Sequence, residues 1–245
     1  MLQLDEGYEF GLGIFTTMAV ENGTAIFLKR HLGRLQNSLD FLQIKQKISA
    51  EWIEAYIEKN MFTQGALKVM LSEKNKSIAT RENPYAAARY RRGFRLNICQ
   101  TRKNESAVLT YHKSLNYADN ILEKRKSLAD GYDEPLFLNT KGEICEGATT
   151  NIFFVKEGII YTPPKSSGLL PGIMRDSILE NQNARECVIL PDEISDFEEC
   201  FVTNALLGIM PVETLGNCRF MKRDTAQKQL TKYREAWGLS PICCT

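Results

Sequence analysis

A lysine with unusual neighbours is the first candidate for chemistry in this chain. Lys113 lies in the stretch YHKSLNY (111–117), among aromatic, imidazole and amide side chains rather than among the charges that usually surround a lysine. Most lysines are solvated surface residues, and that is the plain alternative for Lys113 as well. A reactive amine needs a lowered pKa, which burial beside aromatic and cationic groups provides. The stretch therefore marks Lys113 as a candidate reactive amine.

Other segments supply what such an amine needs if it carries pyridoxal phosphate: a phosphate site and partners for the pyridine nitrogen and the phenolic oxygen. In SSGLLPGIMRDSIL, the backbone amides of Ile173 and Met174 lie at a predicted helix start, where free N–H groups and the helix dipole attract anions. The Asn204-Ala205 turn follows an apolar strand and offers a second polar turn. An ordinary helix start and an ordinary turn are the alternatives.

Two charged residues complete this set. Arg34, on the first predicted helix, can balance the charge of a phosphate, and Glu146, in EGATTNIFF, can pair with the pyridine nitrogen. An exposed helical arginine and a turn carboxylate are the alternatives. None of these signals is decisive alone.

Composition limits the class of protein. The 245 residues, 43% of them apolar, are enough for one large domain or two modest ones. A net charge of +1 argues against a nucleic-acid or membrane-surface partner, and two histidines leave few ligands for a metal site. Seven cysteines, including the pair Cys243-Cys244, form no CxxC motif and indicate reduced thiols. With neither a signal peptide nor a spanning segment in the sequence, we expect a cytoplasmic protein without a metal.

The first third of the chain predicts a small α/β domain. Two strands meet at Asn22-Gly23, a strong hairpin signal, and spaced leucines predict a helix over 29–45. A second helix begins after Ser49, and a buried strand follows at 66–72. The polar, basic stretch that follows predicts a domain boundary. The predicted organisation is a small domain at 1–84, a linker at 85–92 and a large domain at 93–245.

The large domain alternates strands with few helices. A strand at 94–100 precedes a helix that begins near Tyr117 and carries apolar Ile121, Leu122 and Leu128. Residues 134–164 alternate strand segments with turns and predict an antiparallel meander. Because regular βαβ units are missing from the sequence pattern, the predicted fold class is α+β rather than a doubly wound sheet.

Six motifs in a fixed order resemble the fold type IV pyridoxal-phosphate enzymes over about residues 5–215. They are FGLGIFTT, HLGRL, KSLNY, EGATTNIFF, GLLPGIMR and FVTNALLGIMPV. This group contains the branched-chain and D-amino acid aminotransferases and aminodeoxychorismate lyase. The resemblance implies a two-domain D-amino acid aminotransferase-like fold, pyridoxal 5′-phosphate as cofactor, a small-molecule substrate and a homodimer.

The resemblance also implies a role for each candidate residue. Lys113 would join the cofactor as a Schiff base, Tyr117 would hydrogen-bond its phenolic oxygen, and Glu146 would pair with its pyridinium nitrogen. The phosphate would be held by Arg34, by the backbone amides of Ile173 and Met174, and by the Asn204-Ala205 turn.

Local differences within the group favour the lyase, which converts 4-amino-4-deoxychorismate to p-aminobenzoate and pyruvate in folate biosynthesis. Thr16-Thr17 stands where aminotransferases more often have an acidic residue, and Asn204-Ala205 stands where branched-chain aminotransferases have Gly-Thr. Thr17 shares a strand face with Phe15, so we expect it to contact the substrate, although both threonines are also good strand residues.

Several alternatives stay open at this point. The substrate's two carboxylates need cations, for which the sequence offers Arg30, Arg89, Arg91 and Arg92, and a solvated basic linker is the alternative for the last three. A branched-chain or D-amino acid aminotransferase remains an alternative function, as does a binding protein that has kept the fold without the chemistry.

Overall fold

A computed structural model describes residues 2–181 and 183–242, and these divide into two compact units. Residues 2–84 and 112–117 form the first unit, and the other described residues form the second. The tail pair Cys243-Cys244 lies outside the described residues. Residues 112–117 pack with the first unit, whereas the predicted organisation places them in the large domain. The predicted domain boundaries stay a proposal. Within the described ranges, every helix is too short or too polar to span a lipid bilayer.

The first unit is an antiparallel sheet with two helices against one face. Its elements are α1 (Glu6–Glu9), β1 (Gly13–Glu21), β2 (Thr24–Ala25), α2 (Leu28–Phe41), α3 (Ala50–Lys59), β3 (Gly65–Ser72) and β4 (Lys76–Arg81). The strand order is β2-β1-β3-β4. One sheet face packs its apolar side chains against the two helices and forms the core of the unit. Since side chains alternate along a strand, Phe15, Thr17, Lys68 and Met70 lie on the opposite face.

Local sequence signals explain the hairpin and the helix ends of this unit. Asn22 and Gly23 both have positive φ, as the predicted tight turn requires. The Ser49 hydroxyl caps α3 by accepting a hydrogen bond from the backbone N–H of Trp52. Helix α2 ends at Phe41, four residues before the predicted end. The helix ends there because Gln43 adopts φ 58° and the N–H of residue 44 donates to the carbonyl of residue 39, which together form a C-terminal Schellman motif.

The second unit contains one large mixed sheet flanked by helices. Its elements are α4 (Ala87–Arg92), β5 (Phe94–Lys103), α5 (Ala118–Ala129), β6 (Glu134–Asn139), β7 (Ile144–Gly147), β8 (Asn151–Lys156), β9 (Ile159–Thr162), α6 (Ile173–Asn181), β10 (Ala184–Glu186), β11 (Glu199–Asn204), β12 (Gly208–Leu215), β13 (Cys218–Arg219) and α7 (Asp224–Ala236). The strand order is β10-β9-β8-β11-β12-β5-β6-β7, and β7 also pairs with β8, which closes part of the sheet on itself. The α+β fold class and the antiparallel succession from β6 to β9 are confirmed.

Two predictions of local structure are incomplete or wrong. The boundary stretch contains β4 and α4, which its polar composition concealed. Helix α5 forms, but the residues predicted as its apolar face are exposed, Leu122 at 60% and Leu128 at 48%. Its buried side chains are instead Asn120, which donates to the carbonyl of Ala148, and Ser127, which donates to the Asn97 side chain. Hydrogen bonds, rather than apolar contacts, attach this helix to the sheet.

Candidate active site

The segment that carries Lys113 is fixed to the edge of β1 by backbone pairing. The N–H of Phe15 donates to the carbonyl of Lys113, and the N–H of Leu115 donates to the carbonyl of Gly13, both at 2.8 Å. Gly13 permits this close approach, because a Cβ there would lie 2.6 Å from the Leu115 side chain and 2.7 Å from the Leu71 carbonyl. Strand-like pairing of this kind places Lys113 on the sheet face that carries Phe15.

His112 anchors the same segment from the opposite side. Its Nδ1 lies 3.0 Å from the Ser38 hydroxyl, and its ring stacks on Phe41 with centroids 4.2 Å apart. Both partners belong to α2, so the segment is held by a strand and a helix of one unit. Burial lowers the pKa of His112, which favours the neutral imidazole in this contact.

The Lys113 amine lies in an aromatic corner. Its Nζ lies 3.3 Å from the Tyr117 hydroxyl and 4.6 Å from the ring centroids of both Tyr117 and Phe15. The two rings meet edge to face at 5.1 Å, so they restrict where the amine can go. Thr17 lies on the same sheet face as Phe15, as strand alternation predicts.

Lys68 is a second amine on this face, and no motif in the sequence marks it as a site residue. Its Nζ lies 4.5 Å from the centroid of the Phe15 ring, the ring that Lys113 also contacts. In the pairing of β1 with β3, Lys68 is directly opposite Thr17. Burial, reinforced by the charge of Arg81, lowers the pKa of Lys68. The stretch ALKVMLS predicts a buried strand, and only the alternation of its side chains between the two sheet faces indicates that Lys68 lies on the face opposite the core.

Arg34 is held by hydrogen bonds on the helix side of the same sheet. Its guanidinium donates to the Thr16 hydroxyl at 2.7 Å, and that hydroxyl lies 2.6 Å from Nδ1 of His31. Burial lowers the pKa of His31 well below its usual value, and the charges of Arg34 and Lys113 lower it further. The two cations therefore both act on His31, within one unit.

Glu146 is a buried carboxylate in the second unit with several donors around it. One oxygen lies 3.4 Å from Nζ of Lys103, and the other accepts from the backbone N–H of Leu170 at 3.1 Å and from the Asn151 amide at 3.4 Å. An ion pair and two hydrogen bonds stabilise the ionised form. Asn151, whose role the sequence did not reveal, also donates to the Leu170 carbonyl and so connects Glu146 to the loop before α6.

The first turn of α6 contains the two predicted amide donors. Ile173 and Met174 begin this helix, where backbone N–H groups have no acceptor within the helix. Asn151 approaches the preceding residue so closely that a Cβ on Gly172 would lie 1.9 Å from its Oδ1. The close contact favours glycine at the position directly before the helix.

Asn204 shapes its turn through its own side chain. Its Oδ1 accepts from the backbone N–H groups of Leu206 and Leu207 at 2.8 Å, and its amide donates to the carbonyl of Thr149 at 3.1 Å. With these partners the Asn204 side chain acts as a turn former, and the backbone of the Asn204-Ala205 turn is the part that remains to hold an anion. Its part in phosphate binding stays a prediction.

The arginines offered for substrate carboxylates have other contacts. Arg92 forms a bidentate contact of 2.5 Å with Asp133, and Arg89 lies 3.7 Å from the same carboxylate. The carbonyl of Arg91 accepts from Arg223, and the guanidinium of Arg30 lies 5.7 Å from the Phe27 ring. Arg89 and Arg92 therefore attach α4 to Asp133 of its own unit, whereas the Arg91 contact is made by its backbone carbonyl and not by its guanidinium.

The groups present fit pyridoxal phosphate by their chemistry. The first unit supplies a primary amine beside a phenol and an arginine on a fixed helix, and the second supplies a buried carboxylate and first-turn amides that have no acceptor within their helix. These are the donor and acceptor types that the cofactor's aldehyde, phenolic oxygen, phosphate and pyridine nitrogen require. The predicted residues are thus divided between the units, with Lys113, Tyr117, Thr17 and Arg34 in the first and the others in the second.

Comparison with known proteins gives relatives of two activities. Aminodeoxychorismate lyase of Bacillus subtilis is 27% identical over 233 residues, covering 84% of this chain and 78% of that protein. A probable branched-chain-amino-acid aminotransferase of Rickettsia bellii is 26% identical over 245 residues, covering 90% and 84%. The crystal structure of 4-amino-4-deoxychorismate lyase from Pseudomonas aeruginosa superposes with a TM-score of 0.84 at 25% identity, covering 96% of both chains.

A family model also matches most of the chain. The sequence model of the family "Amino-transferase class IV" matches residues 13–215, which include every candidate site residue. The chain therefore belongs to the class IV aminotransferases, a family of enzymes that depend on pyridoxal 5′-phosphate.

Proposed function

We propose that this enzyme is a lyase that converts 4-amino-4-deoxychorismate to p-aminobenzoate and pyruvate. The observation that carries the proposal is the second amine beside Lys113: the Lys68 ammonium lies against the Phe15 ring, opposite Thr17. The likeness to aminodeoxychorismate lyases in sequence and in structure supports it.

A cation at this position suits an acidic substrate. The proposed substrate carries two carboxylates, and a partly buried ammonium binds a carboxylate through a charge-assisted hydrogen bond. A branched aliphatic side chain would gain nothing from the same group and would leave it desolvated. Lys68 and the hydroxyl of Thr17 therefore favour a polar, anionic substrate on this face.

The chain's own residues account for the proton transfers. When bound, pyridoxal phosphate supplies an electron sink that acidifies the C–H bond next to the substrate amine. Lys113 Nζ, held near the Tyr117 hydroxyl, removes the proton from the ring carbon that carries the amine. The C–O bond on the neighbouring ring carbon then breaks, and the electron pair of the former C–H bond completes the aromatic ring. Enolpyruvate leaves with the C–O electron pair and takes back the proton from Lys113 to become pyruvate.

Glu146 and Arg34 would hold the cofactor in the proposed mechanism. The ionised Glu146 carboxylate would keep the pyridine nitrogen protonated, which preserves the electron sink. Arg34, the amides of Ile173 and Met174 and the Asn204-Ala205 turn would bind the phosphate, as expected for an anion at a helix N-terminus.

An aminotransferase is the second candidate. Several relatives at comparable identity are probable or putative branched-chain-amino-acid aminotransferases, and one is a D-alanine aminotransferase. For that reaction the same Lys113 proton transfer would end with release of the keto acid that corresponds to the amino acid substrate, and no aromatic amine would form.

Product analysis with the cofactor-loaded enzyme separates the two candidates. We expect 4-amino-4-deoxychorismate to yield p-aminobenzoate, followed by its fluorescence, and an equal amount of pyruvate, followed with a coupled dehydrogenase. Leucine or D-alanine with 2-oxoglutarate should give a kcat/KM lower by at least about 100-fold. A higher kcat/KM for either amino acid would show that the lyase assignment is wrong.

A further inference from the structure

The fully buried pair Thr16 and His31 contacts Arg34 through a chain of two short hydrogen bonds. Arg34 Nη2 donates to Thr16 Oγ1 at 2.7 Å, and Thr16 Oγ1 lies 2.6 Å from His31 Nδ1. Thr16 lies on the helix side of β1, between the core residues Ile14 and Met18, and is completely inaccessible to solvent. Its hydroxyl therefore lies on the sheet face opposite to Phe15 and Thr17 and cannot take part in contacts on their face.

The chemistry of the groups fixes the direction of the first hydrogen bond, and the tautomer of His31 fixes that of the second. A guanidinium can only donate, so the Thr16 oxygen accepts from Arg34. With the proton of neutral His31 on Nε2, Thr16 gives its single hydroxyl proton to Nδ1 and makes both hydrogen bonds at once. The imidazole ¹⁵N spectrum distinguishes this tautomer from the one that carries its proton on Nδ1. Burial and the neighbouring charges of Arg34 and Lys113 lower the pKa of His31, in agreement with a neutral ring.

The arrangement fixes the orientation of one arginine at some cost. His31 and Arg34 are three residues apart on α2 and so lie on the same helix face. Within the described residues, Nε2 of His31 has no hydrogen-bond partner although the ring is fully buried. A histidine that served packing alone would be better replaced by an apolar residue, because an unpaired buried N–H is unfavourable. The Nδ1 contact to Thr16 supplies the reason for a histidine here.

We propose that Thr16 is a positioning residue that, oriented by neutral His31, holds the Arg34 guanidinium ready for the phosphate of the cofactor. The inference rests on the proposed role of Arg34 in phosphate binding. On this proposal Thr16, rather than its neighbour Thr17, is the threonine that increases the affinity for the cofactor. An arginine oriented before binding loses less side-chain freedom when the phosphate arrives.

The test compares two cofactor forms that differ only in the phosphate. The full-length protein, stripped of cofactor, is titrated with pyridoxal 5′-phosphate and with pyridoxal, and both Kd values are measured by the change in visible absorbance. In Thr16→Val, which removes the hydroxyl at nearly constant shape, we expect the Kd for pyridoxal 5′-phosphate to rise about 10-fold and that for pyridoxal to stay unchanged. Thr16→Ser should restore the wild-type ratio, and the exposed Thr80→Val on β4 serves as the control.

Two further variants show whether the effect passes through Arg34. Arg34→Ala should weaken binding of pyridoxal 5′-phosphate selectively, and adding Thr16→Val to it should cause no further loss, because coupled residues are not additive. An equal weakening of both cofactor forms in Thr16→Val would assign Thr16 a structural role and overturn the proposal, as would an unchanged Kd. An unselective Arg34→Ala would overturn it as well. None of these affinities depends on which reaction the enzyme catalyses, so failure of the lyase assignment would be distinguishable.

Nuclear magnetic resonance gives a second test that holds even if Thr16→Val folds poorly. The chain has two histidines, so the imidazole ¹⁵N spectrum is simple, and His112→Asn assigns the signals. We expect His31 to show an unprotonated Nδ1 and a protonated Nε2 without titration between about pH 5 and pH 8. A His31 that titrates in this range, or that carries its proton on Nδ1, would contradict the proposed hydrogen-bond chain.

Discussion

At the scale of single residues, the two amines beside the Phe15 ring differ in role although they share a contact. Lys113 has the Tyr117 hydroxyl at 3.3 Å and is fixed by backbone pairing of its segment to β1. Lys68 lies on a strand of the same face, opposite Thr17. We assign proton transfer to the first and recognition of a carboxylate to the second.

The role of Lys68 can be tested by removing its charge. We expect Lys68→Met to raise the KM for 4-amino-4-deoxychorismate about 10- to 100-fold with a smaller effect on kcat, the loss expected for one hydrogen bond to a charged group. The matched control is Lys76→Met, since Lys76 also lies against an aromatic ring of this unit, that of Trp52 at 4.0 Å. An unchanged KM in Lys68→Met would remove this residue from substrate recognition.

The Tyr117 hydroxyl should matter for the rate. Tyr117→Phe keeps the edge-to-face contact with Phe15 and removes the hydroxyl near Lys113 Nζ. We expect kcat to fall about 10-fold, which corresponds to one hydrogen bond, while thermal stability changes little. Steady-state kinetics and a thermal melt measure both, and wild-type kcat in the variant would show that the hydroxyl has no catalytic part.

At the scale of secondary-structure elements, the pairing of β1 with residues 112–117 is what positions the Lys113 amine. The contact leaves no space at Gly13, where a Cβ would meet both the Leu115 side chain and the Leu71 carbonyl. A side chain at this position must displace the Leu115 side chain of the lysine segment and the Leu71 carbonyl of β3.

Two glycine substitutions test this contact against an internal control. Gly13→Ala should lower the free energy of unfolding by about 1–3 kcal/mol through overpacking, and it should reduce activity by displacing Lys113. Gly33→Ala, in the exposed middle of α2 with open space around it, should raise the free energy of unfolding by roughly 0.5–1 kcal/mol. Urea unfolding measures both changes, and a neutral Gly13→Ala would mean that the pairing is looser than described.

Signals that act over a few residues could be predicted from the sequence, and contacts between distant segments could not. Asn22-Gly23 and Ser49 specify a turn and a cap through their own backbone and side-chain chemistry. The pairing of Ile14 with Ser114 joins residues 100 positions apart and has no periodic signature. Helix α5 misled the prediction because its buried face is polar, and periodicity arguments assume that the buried face is apolar.

The order of the motifs predicted more of the candidate site than any single residue did. Lys113, Glu146 and Arg34 are each open to an ordinary explanation, and only the order of the motifs along the chain indicates an enzyme family. Lys68, Asn151 and the Thr16–His31 pair escaped notice because their contributions depend on neighbours that the fold brings together.

At the scale of the whole molecule, one carboxylate near the beginning of the chain makes the free energy of unfolding depend on pH in the acid range. Asp5 accepts hydrogen bonds from the Ser72 hydroxyl at 2.6 Å, the Lys74 N–H at 2.8 Å and the Asn75 amide at 2.9 Å. These bonds, that of Ser72 first, lower its pKa from 3.8 to about 2. Since the folded-state pKa lies below the unfolded one, the stabilisation is complete above about pH 4 and is lost as the pH falls towards 2.

Asp5→Asn should therefore flatten the dependence of stability on pH in that window. We expect the free energy of unfolding of the variant to fall less steeply than that of the wild type between about pH 4 and pH 2, as measured by urea unfolding at several pH values. Glu58→Gln, at an exposed position on α3, is the control. Identical slopes for the wild type and Asp5→Asn would show that Asp5 does not carry the acid dependence.

The most direct test of the account is to find which nitrogen binds the cofactor. The full-length protein is saturated with pyridoxal 5′-phosphate, reduced with borohydride to trap the carbon–nitrogen bond, and digested for peptide mass spectrometry. We predict that the added mass lies on Lys113 and that Lys68, which contacts the same Phe15 ring, stays unmodified. An unmodified Lys113, or a cofactor trapped on Lys68, would contradict the assignment on which the proposed reaction depends.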